Sequence, residues 1–127
     1  MVELPLPLSN FIRTALKYLL VIFLFTISAC SSLPNSKKVQ NHIGGIHAVA
    51  AAVLAESATG IVFGMNVPDK CLPLLKSMSI DYQRRMQGDL TAIATLSQAQ
   101  QQEIESSNKG AIVIPVTITD ESNQQPI

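Results

Sequence analysis

The sequence predicts an α+β fold in which an antiparallel sheet is wrapped around one long central helix. One stretch, residues 46–63, has the composition of a helix, and three later segments alternate apolar and polar residues with the period of a strand. Because no helices alternate with these strands, the crossover connections of a parallel sheet are not expected. At 127 residues, the chain is also of a length that favours one domain.

The first 29 residues are predicted to be a signal peptide or a membrane anchor. Arg13 and Lys17 come before the apolar run 18–26. That run is well short of the roughly 20 residues that cross a bilayer core as a helix, and it has the length of the apolar region of a signal peptide.

Residues 27–30, Ile-Ser-Ala-Cys, resemble the lipobox of bacterial lipoproteins, in which the cysteine thiol receives diacylglycerol. In such proteins a serine at the position of Ser31 favours the outer membrane. The resemblance predicts lipidation of Cys30 and a membrane-associated protein, with residues 30–40 forming a linker and part of a first strand. The alternatives are a signal-anchor that leaves the domain cytoplasmic, or an amphipathic first helix in which Cys30 has no special role.

The helix predicted for residues 46–63 is rich in alanine and other strong helix formers. Gly44 and Gly45 stand before it, and Gly60 and Gly64 lie near its end. It is apolar nearly all round, which predicts a buried helix whose small side chains let a sheet approach closely.

Three later segments have the alternation of strands: residues 78–82, 90–96 and 112–118. Turns are predicted between them at residues 88–89 and 108–110. Pro115 has no N–H for a ladder, so the last strand is expected at a sheet edge or with a bulge. The stretch 97–107 is polar, and no element is predicted there.

Composition and motifs exclude several classes of function. Nine Lys+Arg balance nine Asp+Glu, without a basic cluster that would bind nucleic acid. Two cysteines are too few for a disulfide framework. A metal site is not expected, since His42 and His47 would lie about 140° apart on a helix. No cofactor is expected either. No serine elbow or phosphate-binding glycine loop is present. Cys71 is predicted to be a buried apolar residue rather than a nucleophile.

Glu56 is the first candidate for chemistry. No other Asp, Glu, Lys or Arg lies between Lys38 and Asp69, and Glu56 falls within a helix that otherwise looks buried. A lone carboxylate is costly to bury, so its presence suggests a functional base. The alternatives are that Glu56 lies on an exposed stripe or pairs with Lys70 or Lys76.

His47, at the start of the helix, is the second candidate. Gly44 and Gly45 let backbone approach a ligand there, and the free N–H groups of the first helical turn could hold an oxyanion. Nine residues at about 100° each place Glu56 roughly 180° around the helix from His47 and about 13 Å along it. The two are therefore unrelated, or the site is built across a dimer. Asn41, taken alone, is better explained as a turn or cap residue than as part of a site.

A set of segments occurs in an order and spacing that resemble the hotdog-fold thioesterase superfamily: residues 41–48 (Asn-His-Ile-Gly-Gly-Ile-His-Ala), 55–56, 76–82 and 88–92. The closest resemblance is to phenylacetyl-CoA-type thioesterases and a related uncharacterised bacterial branch. It covers residues 33–127, with the hotdog domain itself expected over 41–127. It implies a homodimer or tetramer that shares an extended sheet and hydrolyses acyl-CoA-like thioesters at the subunit interface.

The resemblance also implies roles for individual residues. Asn41 would bind or position the thioester, His47 would orient it, and the Ala48 backbone N–H would be the oxyanion donor. Glu56 would activate water from the opposite subunit, which accommodates the 180° offset. Two positions are implied in substrate binding, Gly45 and Ser79.

This sequence departs from the family in ways that define a competing hypothesis. Ala48 replaces a usual glycine and adds a methyl group where the thioester would approach, and Leu75 replaces a polar residue of some relatives. We expect the sheet to lack terminal strands, because only part of a first strand precedes Asn41 and the final strand that follows residues 120–127 in the family is absent. An exported lipoprotein would not meet cytoplasmic coenzyme A esters. The alternative function is therefore a non-catalytic acyl-binding or structural membrane lipoprotein with a degenerate hotdog domain.

Overall fold

The computed structural model describes residues 26–127, so the predicted signal or anchor residues 1–25 lie outside the described part of the chain. Within it the elements are β1 (Thr26–Leu33), α1 (Ala48–Gly64), β2 (Leu90–Ser97), α2 (Gln98–Ser106) and β3 (Val116–Asp120). The strands form one antiparallel sheet in the order β1-β2-β3. The predicted α+β class, an antiparallel sheet against one long helix, is confirmed.

The central strand, β2, shows why the sheet has one apolar face. Its buried side chains recur at every second position: Leu90, Ala92, Ala94 and Leu96. The register places Ala29 of β1 and Val116 of β3 opposite Ala94. Because successive side chains point to opposite sides of a strand, this register aligns the apolar positions of all three strands on one face.

The long helix, α1, packs across that face. Its buried residues recur at helical spacing: Ala51, Leu54, Ala55, Ala58 and Val62. Three of these are alanines, whose small side chains let the helix lie close to the sheet. The opposite side of α1 is open, since Val49 and Val53 are 63% and 58% exposed. The prediction of a helix buried all round is therefore wrong for a single copy of the chain, because the strands cover only one side.

Residues 78–82, predicted as a strand, form no regular secondary structure. No backbone N–H or C=O group of residues 72–82 has a hydrogen-bond partner within residues 26–127. Alternation of apolar and polar residues does not by itself supply a neighbouring strand, and a strand without a ladder is not stable. The segment 72–82 therefore has the pattern of a strand but lacks a pairing partner.

Two other boundaries also differ from the sequence prediction. The third strand begins at Val116 rather than at residue 112, directly after Pro115, which cannot donate to a ladder. The polar stretch 97–107 contains α2. This short helix begins with a capping box, in which Ser97 and Gln100 each accept a hydrogen bond from the other's backbone N–H.

The first strand crosses the boundary predicted between residues 29 and 30. β1 pairs with β2 along eight residues, with Ala29 buried towards α1 and Cys30 exposed on the other face. The strand expected within residues 30–40 thus ends at Leu33 and includes residues of the predicted targeting segment. Neither helix in residues 26–127 combines the length and hydropathy needed to cross a bilayer.

Asp120, the last residue of β3, connects three parts of the chain. Its fully buried carboxylate lies 2.9 Å from Arg84 Nη2 and accepts hydrogen bonds from the backbone N–H groups of Gln87 and Ser122, both at 3.0 Å. The Ser122 hydroxyl also donates to it. Burial raises the pKa of Asp120, but the hydrogen bonds from Arg84, Ser122 and Gln87 outweigh burial and hold that pKa well below its usual range.

Substituting Asp120→Asn tests this connection. We expect the free energy of unfolding at pH 7 to fall by about 2 kcal/mol. The amide has no charge to strengthen the hydrogen bond from Arg84, and its N–H₂ group would face the N–H and O–H donors that surround Asp120. Urea denaturation of the full chain measures the loss. The control is Glu121→Gln, a change at an exposed neighbouring carboxylate that should alter stability by less than about 0.5 kcal/mol. Equal losses in the two variants would contradict the role of Asp120.

The depressed pKa of Asp120 also predicts how stability depends on pH. The folded protein holds the ionised form more tightly than the unfolded chain, whose aspartate pKa is about 3.9. The stabilisation is therefore fully present above about pH 4 and is lost as the pH falls below that value. Urea midpoints measured from pH 6 down to pH 2 should fall more steeply for the native chain than for Asp120→Asn, and parallel curves would count against this prediction.

Candidate functional site

Asn41 organises the turn that leads into α1. Its Oδ1 accepts hydrogen bonds from the backbone N–H groups of Ile43 and Gly45, at 3.0 and 3.1 Å, and its own N–H donates to the Gly45 carbonyl at 2.8 Å. Gly44 adopts φ +78°, a conformation that glycine takes without strain. Asn41 is half-buried, and its Nδ2 donates no hydrogen bond within residues 26–127. The amide group is thus fixed through its oxygen, while its N–H₂ remains available.

His47 caps the N-terminus of α1. Its Nδ1 accepts a hydrogen bond from the backbone N–H of Val49 at 3.2 Å, and the residue is exposed. Because Nδ1 must offer a lone pair for this bond, a neutral ring carries its proton on Nε2, which makes Nε2 a donor. The backbone N–H of Ala48, the first helical residue, has no acceptor within the helix and lies at its positive end. Two donors therefore stand on consecutive residues.

Gly45 is buried beneath the segment that precedes β2. A Cβ atom at this position would lie 3.4 Å from the Met86 carbonyl oxygen and 3.9 Å from the Asn41 side-chain amide. A glycine here lets the turn pack closely against backbone. Ser79, the other predicted substrate contact, is exposed within residues 72–82 and makes no hydrogen bond with described residues.

Side chains of the segment 82–86 donate hydrogen bonds to the turn before α1 and to its first residue. The sequence did not predict these contacts. The Tyr82 hydroxyl donates to the Ala48 carbonyl at 2.7 Å, and Arg85 Nη2 donates to the Ile43 carbonyl at 2.8 Å. These contacts join residues 34 and 42 positions apart in the chain. No local motif marks such a contact, because the acceptors are backbone carbonyls that every residue has.

Glu56 lies on α1, at the border between its buried and its exposed side. Its pairing with Lys70 or Lys76 is excluded within residues 26–127, where Arg84 and Asp120 form the one salt bridge. The carboxylate lies over Gly60, since a Cβ there would be 3.9 Å from Glu56 Oε1. Helical geometry keeps Glu56 about 13 Å from His47 along the axis and on the opposite side, so one copy of the chain does not bring them together.

A cleft of about 430 Å³ lies at the other end of α1, away from the turn. Phe63 and Ile104 are among its apolar residues, and Cys71, whose Sγ lies 3.7 Å from the Asn108 carbonyl oxygen, also lines it. None of the candidate site residues contributes to this cleft. Within the described part of the chain, no three His, Cys, Asp or Glu side chains are placed to hold a metal ion.

Comparison with known proteins adds a family and a fold. A family model described as Domain of unknown function (DUF4442) matches residues 26–127. No curated protein matches the chain.

Two solved structures are similar to the chain. The crystal structure of genomics APC5556 is 28% identical with a TM-score of 0.62, over 74% of this chain and 60% of that one. The chain thus spans about three fifths of the length of APC5556. PA5026 from Pseudomonas aeruginosa, a protein of unknown function described as a probable thioesterase, is 24% identical with a TM-score of 0.71, over 98% of this chain and 92% of that one. The predicted hotdog type of fold is confirmed.

The turn gives a matched pair of variants. Asn41→Ala removes the Oδ1 acceptor, so we expect amide hydrogen exchange at Ile43 and Gly45 to accelerate about fivefold, which corresponds to about 1 kcal/mol. Asn41→Asp keeps an Oδ1 acceptor and should leave exchange at both amides near the native rate. Exchange measured by NMR on the full chain checks both, and unchanged protection in Asn41→Ala would refute this account of the turn.

Proposed function

This chain belongs to the family of domains of unknown function DUF4442. From the geometry at the start of α1, and from the likeness to PA5026, which is described as a probable thioesterase, we propose that the chain hydrolyses acyl thioesters of the coenzyme A type at a site shared by two copies. The observation that carries the proposal is the paired donors at the helix start. The His47 ring, with Nδ1 engaged, directs Nε2–H outward, and the Ala48 N–H has no helical acceptor.

These donors suit a thioester carbonyl. When water adds to the carbonyl carbon, negative charge develops on the oxygen, and donors fixed before the reaction stabilise it. The helix dipole adds partial positive charge at the same place. Asn41, whose Nδ2 has no hydrogen bond in the described residues, would position the acyl group or the thioester from the same turn. Of the two predicted substrate contacts, Ser79 is exposed and could meet the substrate, whereas Gly45 is buried and would act by letting the turn pack closely.

The base in this proposal is Glu56 of the partner subunit. Glu56 of the same copy is too far around the helix to reach a carbonyl held by His47. A half-buried carboxylate without a cation beside it is free to accept a proton from water. A twofold arrangement in which each α1 presents its start to the other's Glu56 completes two equivalent sites.

A second copy is also supported by surface that one copy leaves open. Leu72 and Leu74 are 79% and 76% exposed, and they belong to the segment 72–82 whose backbone is unpaired among the described residues. An apolar segment with free N–H and C=O groups tends to pair with another chain. Val49 and Val53, in the first turns of α1 beside the proposed site, are also exposed apolar residues.

The reaction would proceed in two steps with all atoms accounted for. Water attacks the carbonyl carbon while Glu56 of the partner subunit takes a proton, and the resulting oxyanion is held by the Ala48 N–H and His47 Nε2–H. The carbon–sulfur bond then breaks, its electron pair leaves with sulfur, and the thiolate takes the proton back from the carboxyl group. The products are a carboxylic acid and free coenzyme A, and no cofactor or metal is used.

The test is turnover of an acyl-CoA panel by the full chain. Glu56→Ala should lower kcat at least about 100-fold, the contribution expected of a general base, while sedimentation shows an unchanged oligomeric state. The matched control is Glu105→Gln, at an exposed carboxylate of α2, which should keep native turnover. Full turnover by Glu56→Ala, or a monomeric native chain that hydrolyses the panel, would overturn the proposal.

The alternative, a non-catalytic acyl-binding or structural membrane lipoprotein with Cys30 as the lipidation candidate, is favoured by one feature. Ala48 carries a methyl group beside the proposed oxyanion donor. Binding of acyl-CoA without turnover in the same panel would support this alternative.

We propose further that the protein is membrane-associated through the segment before β1. Cleavage next to Cys30 would remove Thr26 to Ala29 from β1, including a buried side chain, which favours retention of an uncleaved anchor. Mass spectrometry of the mature N-terminus distinguishes an intact anchor from a chain lipidated at Cys30.

A further inference from the structure

Among the described residues, Tyr82 makes the one side-chain hydrogen bond that joins the segment 72–82 to the start of α1. Its hydroxyl donates to the Ala48 carbonyl at 2.7 Å, a short hydrogen bond. The rest of that segment makes no backbone hydrogen bond with the described residues. A single phenol thus connects a loosely held segment to the residue whose N–H serves as oxyanion donor in the proposed function.

The Ala48 carbonyl belongs to a peptide group that is hydrogen-bonded to side chains through both its C=O and its N–H. The C=O of the Ala48–Val49 peptide accepts from Tyr82, and the N–H of the same peptide donates to His47 Nδ1 at 3.2 Å. A hydrogen bond to a peptide carbonyl polarises the group and makes its N–H a stronger donor. Tyr82 and His47 are therefore coupled through one peptide, although their side chains belong to different segments.

We propose that Tyr82 is a positioning residue of the thioester site, and that it acts through the Ala48–Val49 peptide to hold the His47 ring in the Nε2–H tautomer. The inference rests on the proposed function for its effect on turnover. Its effect on the His47 ring does not depend on that function. Loss of the phenol would weaken the N–H donor to Nδ1, so the ring would populate the other tautomer and other orientations.

A different role would be purely structural, with Tyr82 pinning the segment 72–82 to the helix. The two roles differ in what a Tyr82→Phe variant changes. A pinning role predicts lower stability and weaker substrate binding, with an unaltered His47 ring. A positioning role predicts a lower rate of the chemical step at unchanged substrate affinity, together with a change in the ring nitrogens.

The experiment compares the native full chain with Tyr82→Phe and with Thr95→Val. The second variant also deletes a hydrogen-bonded hydroxyl with little change of shape, but on β2, where Thr95 bonds Ser28. We expect Tyr82→Phe to lower kcat about fivefold, the effect of about 1 kcal/mol, with KM within about twofold of native. Nitrogen-15 spectra of labelled His47 should show proton density moving from Nε2 towards Nδ1. Thr95→Val should match the native chain in both measurements.

Each other outcome has a definite meaning. Unchanged His47 spectra in Tyr82→Phe overturn the inference, whatever happens to turnover, and so does an equal loss of kcat in Thr95→Val. If the native chain hydrolyses no acyl-CoA, the proposed function fails. The His47 spectra then decide the Tyr82 inference alone, with altered nitrogens supporting it and unaltered nitrogens overturning it.

Discussion

The buried carboxylate of Asp120 is the interaction on which the arrangement of the site depends. It accepts hydrogen bonds from Arg84 and from the Gln87 backbone, which ties the segment before β2 to the end of β3. That segment carries Tyr82 and Arg85, whose donors hold the turn at the start of α1. The Asp120 carboxylate therefore positions the candidate site indirectly, through the segment before β2 that contacts both. Burial of that charge is tolerated because several donors satisfy it.

The alanines of α1 provide the second constraint. They let the helix lie close to the sheet, so its axis and its first turn have a defined place relative to β2. A helix with larger side chains on that face would stand further from the strands, which would move Ala48 relative to the sheet. Close packing along the helix thus determines the geometry at its end, where His47 and Ala48 present their donors.

One copy of the chain leaves apolar surface exposed and keeps two of the candidate residues apart. The strand-like segment 72–82 has no ladder within the described residues, and the outer side of α1 is exposed. Glu56 and His47 also lie on opposite faces of one helix. A second copy would meet both needs at once, because covering open apolar surface and bringing a carboxylate to the opposite helix start are consequences of the same twofold contact.

The elements that have local signals could be predicted from the sequence alone. The helix at Ala48–Gly64 and the central strand at Leu90–Ser97 follow from composition and periodicity, and the hotdog fold follows from the order of the motifs. Ser97 and Gln100 carry a further local signal, the capping box that begins α2. That residues 78–82 lack a ladder and that Tyr82 reaches Ala48 is visible only in the folded chain. Those outcomes depend on which distant backbone groups lie nearby, and a periodic pattern of side chains carries no information about its neighbour.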